Sequence, residues 1–178
     1  MPHSRGVPSE QQKLTTSLFL GGARSGKSRL AQAAAEAFDG PLIYVATAEA
    51  GDAEMAARIA HHRADRGDRW TTVECRIDLA DAIAAYEQPV LVDCLTLWLS
   101  NLMLGGHDVA GHTQRLIDTV RERAAPLFLV SNEVGLGLVP ETPLGRAFRD
   151  EQGRLNQSIA AVVDHVTFVA AGLPLRLK

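Results

Sequence analysis

Short apolar runs alternate with longer amphipathic stretches along most of the chain. The apolar runs are Ser17 to Leu20, Leu42 to Ala46, Val90 to Cys94, Leu127 to Ser131 and Val166 to Ala170. They are apolar on consecutive residues and rich in Val, Leu and Ile, the pattern of parallel strands buried on both faces. Three of them follow a proline, at Pro41, Pro89 and Pro126. Proline opens a strand but disrupts its middle, so these positions mark strand starts. Thr71 to Cys75 alternates more weakly and is predicted nearer a sheet edge. Helical patterns lie between the runs, at Lys27 to Ala37, Ala53 to Ala64 after the capping residue type Asp52, Leu79 to Ala85, Leu95 to Leu104, Thr113 to Ala124 and Leu144 to Val163. Strands alternating with helices predict an α/β fold with a mostly parallel, doubly wound sheet. The end differs: His165 to Ala170, a turn at Gly172-Leu173-Pro174 and Leu175 to Lys178 predict an antiparallel C-terminal edge strand.

Composition narrows the class. A chain of 178 residues, 46% apolar and 22% charged, has the length and balance of one globular domain. Residues 1–14 are polar, carry Pro2 and Pro8 and show no periodicity, so they are predicted to be a flexible extension of a single nucleotide-binding domain at 15–178. The net charge of −3 gives no reason to expect a nucleic-acid partner. The two cysteines, Cys75 and Cys94, form no CxxC, which argues against a disulfide framework or a structural zinc site. No apolar run approaches the roughly 20 residues of a membrane helix, and Met1 to Lys13 lacks the apolar stretch of a signal peptide. The expectation is no membrane insertion and a cytoplasmic location.

The clearest chemistry lies after the first apolar run. Gly21-Gly22-Ala23-Arg24-Ser25-Gly26-Lys27-Ser28 matches the Walker A pattern G-x-x-x-x-G-K-[ST], between a predicted strand and a predicted helix. Glycines let the backbone turn and aim several N–H groups into one concavity, and the helix N-terminus adds partial positive charge. Lys27 is then predicted to reach the β- and γ-phosphates, and Ser28 to hold Mg²⁺ through its hydroxyl. Asp93 closes Pro89-Val90-Leu91-Val92-Asp93, a Walker-B arrangement that suits a second magnesium ligand; a helix cap is the plainer role for it. Glu133 ends another run and is equally compatible with a functional carboxylate or an ordinary loop residue.

Two further segments leave alternatives open. On a helix over Ala53 to Ala64, turning about 100° per residue, His62 falls near Met55 and Ile59 on the apolar stripe, and His61 falls with Glu54 and Arg58. Periodicity alone makes His62 a packed histidine and His61 an exposed one. The alternative is a nucleophile, since neutral imidazole is available near pH 7. Asn132 to Glu141 is a Gly- and Pro-punctuated loop, and Arg146, Arg149 and Arg154 follow on the next helix. These arginines fit either a salt-laced solvated face or phosphate binding.

Taken together, these residues resemble the bifunctional adenosylcobinamide kinase/adenosylcobinamide-phosphate guanylyltransferase family. The resemblance rests on Gly21 to Arg29, Tyr44-Val45-Ala46-Thr47-Ala48, Asp52 to Ile59 with His61-His62-Arg63, and Trp70. It continues in Asp93-Cys94-Leu95-Thr96, Asn101-Leu102, Ser131 to Gly135, Val139-Pro140-Glu141, Arg146, Phe148-Arg149-Asp150, Gly153-Arg154 and Asn156-Gln157. It runs from about residue 16 to the C-terminus. The resemblance implies a RecA-like P-loop fold, a homotrimer and two reactions of cobalamin biosynthesis, with ATP and GTP as substrates and Mg²⁺ as cofactor. A nucleoside triphosphate phosphorylates the aminopropanol hydroxyl of the corrinoid adenosylcobinamide. GTP then gives GMP to that phosphate through a guanylylated histidine, releasing pyrophosphate. By position His62 is the implied nucleophile, reversing the preference from periodicity, and Arg58 joins the implied nucleotide site. Gln32 stands where the family often has an acidic residue, and Asp93 where some members have Glu. Two competing functions remain at this point: a small-molecule kinase without guanylyl transfer, and a RecA-like ATPase acting on a macromolecule. The short chain and its net negative charge disfavour the second.

Overall fold

The computed structural model describes residues 16–48 and 67–178. The elements in order are β1 (Thr16–Gly21), α1 (Lys27–Glu36), β2 (Leu42–Ala46), β3 (Trp70–Glu74), α2 (Leu79–Ala84), β4 (Val90–Asp93), α3 (Leu95–Leu104), α4 (Val109–Glu122), β5 (Leu127–Asn132), α5 (Pro143–Val162), β6 (His165–Ala170) and β7 (Leu173–Arg176). Among the described residues the strands form one seven-stranded sheet in the order β3-β2-β4-β5-β1-β6-β7. Every pairing is parallel except β6 with β7. The α/β class, the mostly parallel sheet and the antiparallel C-terminal edge are therefore as the sequence predicts, and β3 is the opposite edge.

Consecutive apolar residues are explained by burial on both faces. Leu18 and Leu20 of β1 pack with Val90 and Val92 of β4 and Leu127 and Leu129 of β5 against α2, α3, α4 and α5. Phe19, Leu91, Phe128 and Val130, one position out of phase, face α1 through Ala31 and Ala35. This is the strand period of two, read on both faces at once. In α3, Leu95, Trp98, Leu99 and Leu102 are all buried, and the Trp98 indole N–H donates to the Ile77 carbonyl at 2.7 Å, which satisfies the one polar atom of that side chain.

Three boundaries differ from the apolar pattern, each for a local reason. Helix α4 begins at Val109 rather than Thr113, because the Asp108 carboxylate caps it by accepting from Gly111 N at 3.0 Å. Helix α5 begins at Pro143, whose ring suits the first helical position, behind the Thr142 hydroxyl accepting from Gly145 N at 3.1 Å. The C-terminal turn is not Gly172-Leu173-Pro174 but Ala171-Gly172, with φ of 52° and 78°. Positive φ at both central residues is the primed hairpin geometry that matches strand twist. Pro174 consequently sits inside β7, where an edge strand tolerates it. The helix predicted over Ala53 to Ala64 and the extension at 1–14 lie outside the described residues.

Strand order positions the site. β5 lies between β1 and β4, with Gly21 opposite Asn132 and Asp93 opposite Val130. The carboxyl ends of three neighbouring strands therefore share one edge, where parallel sheets bind ligands.

Candidate functional site

The chain leaves β1 at Gly21 in space for no larger residue. A Cβ there would stand 2.4 Å from the Val169 carbonyl oxygen and 2.7 Å from Ser25 Oγ. The turn that follows takes Arg24 to φ 57° and Gly26 to φ 94°, the left-handed region that glycine enters without strain. Gly22, Ala23 and Arg24 are exposed, Ser25 is buried, and Ser28 is half-buried in the first turn of α1. Ser25 N donates to Gly22 O at 3.3 Å, and Gly172 N from the C-terminal hairpin donates to Ser25 O at 2.8 Å. The β6–β7 turn thus buttresses the loop from behind. Lys27 is 7% exposed, and its ammonium donates to the Gly22 carbonyl at 3.0 Å. A buried cation folded back over a loop of turning backbone, at a helix N-terminus, is a setting for phosphate oxygens. The Ser25 hydroxyl is buried there with no partner among the described residues.

Asp93 ends β4 half-buried, and Tyr44 Oη donates to its Oδ2 at 3.0 Å. The next residue is held from β2. Thr47 Oγ1 donates to the Cys94 carbonyl at 2.7 Å and accepts from Cys94 N at 2.8 Å. Asn101 Nδ2 of α3 donates to the Thr47 carbonyl at 2.9 Å. Burial, and secondarily the Asp93 carboxylate, pushes the Cys94 thiol up to about 11, so it is a packed thiol that keeps its proton at neutral pH. Burial also raises Cys75. Asp93 does not cap α3 through its side chain: the N-cap is Cys94, with no side-chain cap bond.

At the end of β5, Glu133 N donates to Gly21 O at 3.1 Å, which ties that turn to the first residue of the phosphate loop. The Glu133 carboxylate accepts from Gly135 N at 2.6 Å, a local turn contact. Asn132 is fixed from two sides, its N–H donating to Thr96 Oγ1 at 2.8 Å and its carbonyl accepting from Asn156 Nδ2 at 3.1 Å. Behind it, Ser131 Oγ donates to Asn156 Oδ1 at 2.7 Å, while Gln152 Nε2 donates to both, at 2.9 and 3.0 Å. A buried polar cluster of this kind fixes one arrangement because each lost bond would strand a buried group.

The arginines of α5 are engaged locally. Arg146 donates to the carbonyls of Pro140 and Glu141, at 3.1 and 2.7 Å. Arg149 pairs with Asp150 at 3.3 Å and Arg154 with Glu151 at 2.5 Å. Two of the three stand in local ion pairs, whereas Arg146 holds the backbone of the loop before the helix.

The structure thus brings Gly21 to Ser28 and Asp93 to the same sheet edge. Arg58, His61 and His62 lie outside the described residues. Tyr44, Thr47 and Thr96 stand in the segments that carry the resemblance but have no role predictable from the sequence, since their partners are distant in the chain. Among the described residues no group of three or more His, Cys, Asp or Glu side chains is placed to hold a metal ion. None of their helices is long and apolar enough to cross a membrane.

The chain is similar to known proteins in sequence and in fold. Residues 17–177 match the family described as CobU, cobinamide kinase / cobinamide phosphate guanyltransferase. The bifunctional adenosylcobalamin biosynthesis protein CobP of Pseudomonas aeruginosa is 47% identical over 166 residues, covering 90% of this chain and 96% of that protein. The bifunctional adenosylcobalamin biosynthesis protein CobU of Salmonella typhimurium is 41% identical over 180 residues, covering 90% of this chain and 98% of that protein. A solved structure of a prototypical ATPase from the type III secretion system of pathogenic bacteria aligns with a TM-score of 0.53 at 11% identity. It covers 91% of this chain, which spans 56% of the ATPase, and the likeness is one of fold alone. The family match decides against a macromolecular ATPase and a stand-alone kinase: this chain belongs to the cobinamide kinase / cobinamide phosphate guanyltransferase family of bifunctional enzymes in adenosylcobalamin biosynthesis.

Proposed function

We propose that the protein performs two transfers at one nucleotide site. In the first, the terminal phosphoryl group of a nucleoside triphosphate, ATP or GTP, passes to the aminopropanol hydroxyl of adenosylcobinamide, and the nucleoside diphosphate and the hydroxyl proton leave. In the second, an imidazole nitrogen of His62 attacks the α-phosphorus of GTP, the bond to the β-phosphate oxygen breaks, and pyrophosphate leaves. The phosphate of adenosylcobinamide phosphate then attacks the guanylyl phosphorus, frees His62 and yields adenosylcobinamide-GDP. The domain at 15–178 carries both steps.

The observation that carries this proposal is Lys27, a buried cation folded over the Gly21–Ser28 turn at the start of α1. Its charge offsets that of the β- and γ-phosphates in both transfers, and Gly21, Gly22, Ala23, Arg24, Ser25 and Gly26 supply the turn whose backbone N–H groups receive them. Arg58 is proposed to join the nucleotide contacts, and His62 to be the acceptor, on the strength of the family resemblance. The Ser28 hydroxyl and the Asp93 carboxylate are oxygen donors of the kind Mg²⁺ takes. Asp93 fits because its carboxylate is half-buried at the strand end and caps no helix. When bound, Mg²⁺ neutralises charge on the phosphate oxygens.

Leu173 and Leu175 of β7, and Leu177 beyond them, are exposed at 71%, 61% and 58% and share one side of the edge. An apolar edge of this kind supports self-association; a homotrimer is the proposed state, with a cytoplasmic location. The decisive experiment incubates the protein with GTP labelled on the α-phosphate. An acid-labile, alkali-stable covalent label is expected, with none from γ-labelled GTP. A protein that phosphorylates the corrinoid yet never takes the label would lack the covalent step.

A further inference from the structure

We propose that Tyr44 is a positioning residue for the metal site: its phenol fixes one oxygen of Asp93, so that the carboxylate meets Mg²⁺ in a single orientation through the other. The inference rests on Asp93 being a metal ligand.

The geometry comes from the sheet. β2 and β4 are parallel neighbours, with Tyr44 opposite Leu91 and Ala46 opposite Asp93. Residues two apart on a strand face the same way. Leu91 and Tyr44 pack in the apolar cluster that α1 covers, so Asp93 also faces α1, the helix whose first turn holds Lys27 and Ser28. Tyr44 lies one same-face step below the carboxylate, and its hydroxyl donates to Oδ2 at 3.0 Å.

The ring is itself held. It meets Trp70 edge-on, with centroids 6.1 Å apart at 81°. The Trp70 indole N–H donates to Glu36 Oε1 of α1 at 3.0 Å, and Gln32 Nε2 donates to the same oxygen at 2.8 Å. A chain of contacts thus runs from the helix of the phosphate loop, through Trp70 and Tyr44, to Asp93. A carboxylate that ends a strand otherwise has rotational freedom about its side-chain bonds. The phenol O–H removes that freedom and satisfies one oxygen, which is how an outer partner orders a metal ligand.

The test is Tyr44→Phe, which removes the hydroxyl and keeps the ring against Trp70. Mn²⁺ is titrated by its paramagnetic resonance signal into the enzyme saturated with a non-hydrolysable GTP analogue, alongside Asp93→Asn and the double variant. Tyr44→Phe is expected to weaken Mn²⁺ binding about tenfold, the scale of losing an outer partner, while binding of the metal-free analogue stays unchanged. In the Asp93→Asn background the same substitution is expected to add nothing, because Tyr44 acts through Asp93. Full Mn²⁺ affinity in Tyr44→Phe, with Asp93→Asn impaired, overturns the role of Tyr44 and leaves Asp93 a ligand. An equal loss in both backgrounds also overturns it, since Tyr44 would then act elsewhere. Unchanged affinity in Asp93→Asn removes Asp93 from the metal site and the inference with it.

Discussion

Thr47 and Cys94 exchange two hydrogen bonds just beyond the ends of the neighbouring strands β2 and β4, the Thr47 hydroxyl donating to the Cys94 carbonyl at 2.7 Å and accepting its N–H at 2.8 Å. One fully buried side chain thereby satisfies both backbone groups of the residue after Asp93. Asn101 extends the tie by donating to the Thr47 carbonyl. The end of β4 is held from β2 and α3 at the point where it meets the proposed magnesium site.

Thr47→Val keeps the shape and removes both bonds. The Cys94 N–H loses its partner, while its carbonyl keeps the Trp98 N–H at 3.2 Å, and a stranded buried group costs about 1–3 kcal/mol. A lower denaturant midpoint with an unchanged slope is expected in urea unfolding. Wild-type stability would mean that other groups satisfy Cys94.

Lys27→Ala is expected to lose corrinoid phosphorylation and guanylylation together, by roughly 100-fold or more, the scale of removing one donor to developing charge. Both activities are measured on one preparation. Retention of either would show that the two transfers do not share the loop.

His62→Ala is expected to abolish labelling from α-labelled GTP and guanylyl transfer while leaving the kinase step largely intact, because phosphoryl transfer to a hydroxyl needs no covalent enzyme intermediate. His61→Ala is expected to keep the label. Labelling needs neutral imidazole, so it is expected to fall as pH drops below about 6.5, the ordinary imidazole range. Label that persists in His62→Ala and vanishes in His61→Ala would assign the other histidine.

Burial moves the Cys94 thiol from 9.0 up to about 11. Between these values the unfolded chain has released the proton and the folded one has kept it, so stability falls as pH rises through that window. The loss approaches about 1.4 kcal/mol per pH unit for this group. It is read as the difference between the wild type and Cys94→Ala, whose stability curve is expected to fall less steeply above pH 9. Identical slopes would mean that the thiol titrates normally in the folded protein.

The family and its chemistry were legible where they are written in contiguous residues. Gly21 to Ser28 could be recognised because the turn, the helix start and the lysine are set within eight positions of one another, so local backbone conformation decides them. Asp93 could be placed at a strand end for a similar reason, as the polar residue that closes a run of Val and Leu. The α/β class followed from prolines at strand starts and from apolar residues on consecutive positions.

Other features depended on atoms brought together from far along the chain, or on single polar atoms that a hydrophobic pattern does not register. Apolar spacing put α4 at Thr113, but the Asp108 carboxylate and the Gly111 N–H start it at Val109. It put the last turn at Gly172 to Pro174, but Ala171 and Gly172 make it with positive φ, a choice set by the pairing of β6 with β7.

Tyr44, Thr47 and Thr96 carried no legible role because their partners, Asp93, Cys94 and Asn132, are 36 to 49 residues away. The sequence by itself determined the element types and the phosphate loop, since both arise from interactions within a few residues. The strand order, the tie of Glu133 to Gly21 and the orientation of Asp93 were decided only by the tertiary structure, because hydrogen bonds between strands depend on which strands become neighbours.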